Sequence, residues 1–171
     1  MNLNEVKSAK WNHTKGIAQL IGSNQQVLIT IKFGRRLTEV NFENRILQIK
    51  KTGFWQPIVT ISEGQNVLLK QEATNIWKSL WDVRIGGNRY TGKQKMLCNY
   101  SVVYRNAQGF EVLSYEMNAW RWKSSMAFKV RESAPTNNDT ILLLILGYYS
   151  LRKMKQESEA AAIASVAVVG S

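Results

Sequence analysis

From Ile141 to Leu146 every side chain is a large aliphatic, so this stretch has no polar face to turn toward water however it coils. A helix that is apolar all round must be buried, in protein or in lipid. As a helix the run from Ile141 to Leu151 rises roughly 16 Å, whereas a bilayer core takes about 20 apolar residues. It is too short to span a membrane. Asp139 or Thr140 is the expected N-cap, and Arg152, Lys153 and Lys155 suit the negative pole of a helix that ends beside them. What precedes the helix is largely strand-like, so the simplest way to bury it is to wrap a sheet around it.

The strand pattern starts at Val27. Val27, Ile29, Ile31 and Phe33 alternate with Leu28, Thr30 and Lys32, the period of a half-buried strand. Leu37 to Phe42 reads as the return strand, Glu43-Asn44 as a tight turn, and Arg45 to Lys51 as a third strand. Ile58 to Ser62 and Val67 to Gln71 follow. Trp77, Ser79, Trp81, Val83 and Ile85 then share one face, opposite Lys78, Leu80, Asp82 and Arg84. Arg89 to Lys95 reads as a short strand or a loop, and Met96 to Tyr104 as a long regular strand. Asn106-Ala-Gln-Gly109 is the clearest hairpin turn. Phe110 to Met117 pairs back, and Ala119 to Arg131 carries Trp120, Trp122, Met126, Phe128 and Val130 on one face.

The expectation is a mainly β protein, an antiparallel β-barrel of about 10–12 strands enclosing a hydrophobic C-terminal helix. The predicted division is an N-terminal arm at 1–24, a barrel at 25–155 whose central helix covers about 139–155, and an Ala-rich tail at 156–171. A first short strand around Gly16 to Ile21 and a second short helix or strand in the tail are the further elements expected.

At 171 residues the chain fits one domain, and its 23 Lys and Arg against 12 Asp and Glu give a net charge of +11. That excess points to an anionic partner, nucleic acid or an acidic membrane surface. The single cysteine, Cys98, allows no internal disulfide and no cysteine metal site, which fits a reducing compartment. Residues 1–20 hold no apolar stretch of signal-peptide length, so a cytoplasmic location, peripheral at a membrane, is expected. His13 is the sole histidine and lies in the polar arm, predicted to be exposed, so neither a catalytic triad nor a histidine metal cluster can form. Gly86-Gly87-Asn88 lacks the length and the following Lys-Ser/Thr of a phosphate-binding loop. No catalytic residue, cofactor or metal is expected.

Hairpins in succession followed by one apolar helix are an unusual order, because most all-β domains have no such helix to bury. On the hairpin from Val102 to Val112, the aromatic strand Ala119 to Val130 and the helix Ile141 to Leu151, the chain resembles the tubby C-terminal-like superfamily, which includes the LURP-one-related proteins and the phospholipid scramblases. The resemblance covers about residues 16–155. It implies a closed barrel of twelve strands around a central helix, and phosphoinositide binding through a basic pocket. Nine to eleven strands are countable here; a strand in the arm or near Arg89 would make up the difference.

The candidate anion or lipid-headgroup site is basic: Lys78, Arg84, Arg89, Lys93, Lys95, Arg121 and Lys123, with Arg105 nearby and Asp82 as the one acid between residues 78 and 105. Arg121 and Lys123 oppose Trp120 and Trp122 on their strand, so the tryptophans are expected inward and the cations outward. Clustered Lys and Arg near an acidic membrane contribute about 1 kcal/mol each. The function expected is therefore a non-enzymatic binding module for anionic phospholipid headgroups. The alternatives are a nucleic-acid binder, with Trp55 or Tyr90 stacking on bases, and a scaffold without a small ligand.

Overall fold

The computed structural model describes residues 3–34, 37–53, 55–75, 77, 79–96, 99–118, 126–131 and 137–169. A short helix, α1 (Leu3–Ser8), precedes twelve strands: β1 (Lys10–Thr14), β2 (Ile17–Ile21), β3 (Val27–Phe33), β4 (Thr38–Phe42), β5 (Arg45–Thr52) and β6 (Ile58–Glu63), then β7 (Asn66–Asn75), β8 (Leu80–Ile85), β9 (Asn88–Met96), β10 (Asn99–Asn106), β11 (Glu111–Asn118) and β12 (Met126–Val130). One long helix, α2 (Asn137–Val169), follows. Every strand pairs antiparallel with the next in sequence, and β1 and β12 approach one another, giving a nearly closed up-and-down barrel.

Alternation along the strands decides which side faces in. Leu20, Ile29, Ile31, Val40, Leu47, Ile49, Ile61, Leu69, Val83, Val102 and Tyr115 are all buried, and the helix occupies the space they surround. An eight-stranded barrel is filled by its own side chains, while a helix with side chains is about 10–12 Å across. Twelve strands make room for it. Ile141 to Leu146, Tyr148, Tyr149 and Leu151 are each at most 5% exposed, so this stretch of α2 is buried on every side as its composition requires.

Two glycines set how closely the helix and wall approach. A Cβ at Gly147 would lie 2.5 Å from Cδ2 and Cε2 of Tyr115, and one at Gly92 of β9 would lie 3.1 Å from Cε1 of Tyr104. Tyr104 and Tyr115, both fully buried, thus lie against glycine where α2 passes β10 and β11. The Tyr115 hydroxyl donates to the Leu144 carbonyl at 2.7 Å and accepts from Trp11 Nε1 at 3.1 Å, tying β1, β11 and α2 together.

Several expectations change. Residues 10–21, assigned to an arm, form the first hairpin of the sheet, and β9 is a full strand, which brings the count to twelve. β1 escapes a pattern search because its two inward residues are Trp11 and His13, half-buried and not aliphatic. His13 is not free in solvent: its Nδ1 lies 3.3 Å from the Tyr148 hydroxyl. The helix starts at Asn137, before the expected caps, and Asp139 instead accepts from Tyr90 Oη at 2.7 Å and Asn88 Nδ2 at 2.8 Å. Nor does it end at Lys155. Tyr148 to Val169 contains no Gly or Pro and is rich in alanine, the best helix former, so the helix runs through the predicted tail.

Candidate anion-binding site

Successive antiparallel order sorts the connections onto two ends. Residues 22–26, 43–44, 64–65, 86–87 and 107–110 join strands at the end where α2 enters, here called proximal. The β1–β2, β3–β4, β5–β6 and β7–β8 connections lie at the distal end, where α2 leaves beside Lys51 and Gly53. The outward residues of β9 are Arg89, Thr91, Lys93 and Lys95, running from proximal to distal.

The predicted cations divide along that axis. Near the proximal end, Asp82 is almost wholly buried and its carboxylate is bound by Arg84 Nε at 2.9 Å and by Arg89 Nε. Burial alone would push the Asp82 carboxyl up, but hydrogen bonds from Arg89 and Arg84 and their charges outweigh it and hold the group below its usual range. The register explains the grouping, since Arg84 lies opposite Arg89 and Asp82 opposite Thr91. These two arginines share a hollow of about 300 Å³ with Asp82 and with Glu72, which is itself paired to Lys70, so one carboxylate partly offsets their charge.

Lys93 and Lys95 form no ion pair among the described residues. Two residues apart on one strand face, their Cα atoms are about 7 Å apart. Lys93 lies opposite Leu80 on β8 and Val103 on β10, and Lys95 lies opposite Ser101. With Thr91 and Arg105 they line a groove of about 230 Å³ over β8, β9 and β10 that contains three cations and no carboxylate. Arg105 lies opposite Glu111, whose carboxyl is itself bound by Arg131 Nε at 3.0 Å. Lys78, Arg121 and Lys123 lie outside the described residues, as do Trp120 and Trp122.

A hollow of about 760 Å³ lies at the proximal end against β3 and β4 and is lined by Glu5 and Glu43 with Val27, Phe42 and Ile46. It is larger but of the wrong sign for an anion. Two aromatic expectations also change: Trp77 precedes β8 and is 99% exposed, while Tyr90 points inward to Asp139 and is closed to a base. Trp55, at 82% exposed, is accessible.

Near the helix exit, His13 faces Tyr148, Phe33, Arg152 and Lys155. Burial, then the charges of Arg152 and Lys155, hold its pKa below the usual histidine value. Burial pushes the Tyr148 phenol up to about 12, so it stays protonated beside the imidazole. Pattern reading missed this pair because it joins residues 135 positions apart.

The class defined so far is an antiparallel barrel with a helix through its lumen and a cationic groove on its wall. No protein family, curated protein or solved structure matches this chain. Among the described residues no three His, Cys, Asp or Glu side chains group as a metal site, and no helix is long and apolar enough to cross a membrane.

Proposed function

We propose that this protein is a non-enzymatic binding module for anionic phospholipid headgroups, peripheral at the cytoplasmic face of a membrane, and that the groove over β8, β9 and β10 receives the headgroup. One observation carries the reading: Lys93, Lys95 and Arg105 line a hollow without a carboxylate, in a chain where Arg84 and Arg89 are tied to Asp82. Thr91 and Ser101 add hydroxyls that can donate to phosphate oxygens. The cytoplasmic leaflet is the anionic one, and each lysine near it is worth about 1 kcal/mol, roughly a fivefold change in binding. Membership of the tubby-like superfamily is part of the proposal, supported by the arrangement of twelve strands about a central helix.

Sedimentation with phosphatidylserine-containing and with neutral vesicles across a salt series tests it. Lys93→Glu with Lys95→Glu is expected to weaken binding to the anionic vesicles more than tenfold, and reversal of both Arg84 and Arg89 to change it far less. Equal binding to neutral and anionic vesicles would overturn the proposal. Nucleic-acid binding is the second reading, favoured by the exposure of Trp55 and Trp77, and it predicts a steep loss with salt and no need of a bilayer.

A further inference from the structure

We infer that the distal end of the barrel is the surface that seats on an anionic bilayer, with Trp55 and Trp77 as interfacial anchors and Lys93 and Lys95 at headgroup depth; this rests on the headgroup reading for its ligand.

The two tryptophans occupy successive distal connections, β5 to β6 and β7 to β8, and are 82% and 99% exposed. Two strand spacings separate those connections, so they stand roughly 10 Å apart around the rim. Leu37, 39% exposed, is in the preceding distal connection. Exposed tryptophan is costly in water but favoured at the membrane interface, where an apolar ring with one polar N–H fits the headgroup boundary. The proximal rim also exposes apolar groups, Val27, Ile46, Val67 and Phe110, but no tryptophan.

Depth and charge agree with this orientation. Lys95 lies one residue and Lys93 three residues from the distal end of β9, or about 3 and 10 Å below the rim. The interfacial layer of one leaflet is roughly 5–8 Å thick. With the tryptophans in that layer, Lys95 meets lipid phosphates and Lys93 reaches them along its side chain, whereas Arg84 and Arg89 are tied to Asp82. Of the distal carboxylates, Glu157 is paired to Lys51 at 2.9 Å, Glu159 to Lys155 and Glu39 to Lys32, while Glu116, on β11 opposite Ser101, is exposed. Helix α2 leaves through the same end, and its sequence from Ala160 to Val169 holds no charge.

The test uses the full chain and phosphatidylcholine vesicles with and without phosphatidylserine, some carrying brominated acyl chains that quench tryptophan fluorescence on contact. Trp55→Ser and Trp77→Ser, both at exposed sites, are each expected to weaken anionic-vesicle binding roughly tenfold and together to abolish most of the quenching. Phe110→Ser, at the proximal end, is expected to leave both unchanged. If wild-type protein binds anionic vesicles but neither tryptophan variant differs from it, the docking face is wrong while the headgroup reading stands. Equal loss from Phe110→Ser would also overturn the assignment of the end. Absence of any preference for anionic vesicles would remove both proposals. Displacement of vesicles by single-stranded RNA, with binding that needs the tryptophans and shows no quenching, would overturn the inference in favour of nucleic acid.

Discussion

The two ends of the barrel are held in different ways. At the proximal end charges are satisfied within the wall: Arg45 grips Glu63 through two nitrogens, Arg84 and Arg89 grip Asp82, and Arg131 grips Glu111. The helix is fastened there as well, by Tyr90 and Asn88 on Asp139. The distal end is more basic, and the helix is held there by ring contacts of Trp11 and Phe33 with Tyr148 and of Phe33 with Tyr149. Its ion pairs include Lys51 to Glu157 and Lys32 to Glu39, both well exposed, and Lys155 to Glu159, while Lys15, Lys50, Lys93 and Lys95 form none among the described residues. Arginine clamps an acid bidentately where a wall must close, and lysine leaves a charge free for something outside.

The sharpest way to break the comparison is to remove what joins the ends. Leu144→Asp places an unpaired carboxylate in the middle of the lumen at a cost of several kcal/mol, and cooperative unfolding is expected to be lost by circular dichroism. Survival of a cooperative transition would mean that the helix does not organise both ends. Gly147→Ala drives a methyl group into the Tyr115 ring, and a loss of about 1–3 kcal/mol is expected in urea unfolding.

At the proximal end Asp139→Ala strands the buried Tyr90 hydroxyl and is expected to cost about 1–3 kcal/mol. Its distal counterpart, Lys51→Met, removes an exposed pair and should change stability by less than about 0.5 kcal/mol. Equal effects in the same unfolding assay would erase the distinction between a buried and an exposed polar fastening.

The smallest effect expected is with pH. The folded state holds the His13 pKa below its unfolded value, so on acidification the unfolded chain takes up the proton first. Stability from this group is therefore present above about pH 6.5 and declines as pH falls through that value toward the folded pKa. His13→Gln keeps a polar partner for Tyr148 and should flatten that part of a melting-temperature profile, while acid losses set by Asp82 and the other carboxylates at lower pH remain.

The barrel and its helix were legible because both rest on hydrophobic periodicity, which is a local signal. The run from Ile141 to Leu151 has one solution in water, and the alternation from Val27 onward is that of a sheet with one wet face. Less legible were elements whose inward side chains are polar or aromatic. β1 offers Trp11 and His13 to the interior, which only Tyr115 and Tyr148, far along the chain, make habitable. The cluster Arg152, Lys153 and Lys155 read as a stop because cations favour a helix C-terminus, yet the alanine-rich sequence beyond it propagates the helix.

The candidate site was half legible for the same reason. Sequence counts charges and assigns each to a strand face, and it correctly gives the wall a basic exterior from Arg84 to Arg105. Whether a cation is free depends on what register sets beside it. Arg84 and Arg89 meet across a strand pair with Asp82 between them, while Lys93 and Lys95 face Leu80, Val103 and Ser101. Local order along the chain thus settled the class of fold, the lumen helix and the sign of the surface, since each follows from periodicity and composition. Pairing register and the direction of each strand decided which charges stay free and which end gathers Trp55 and Trp77, since both depend on contacts between residues that only folding brings together.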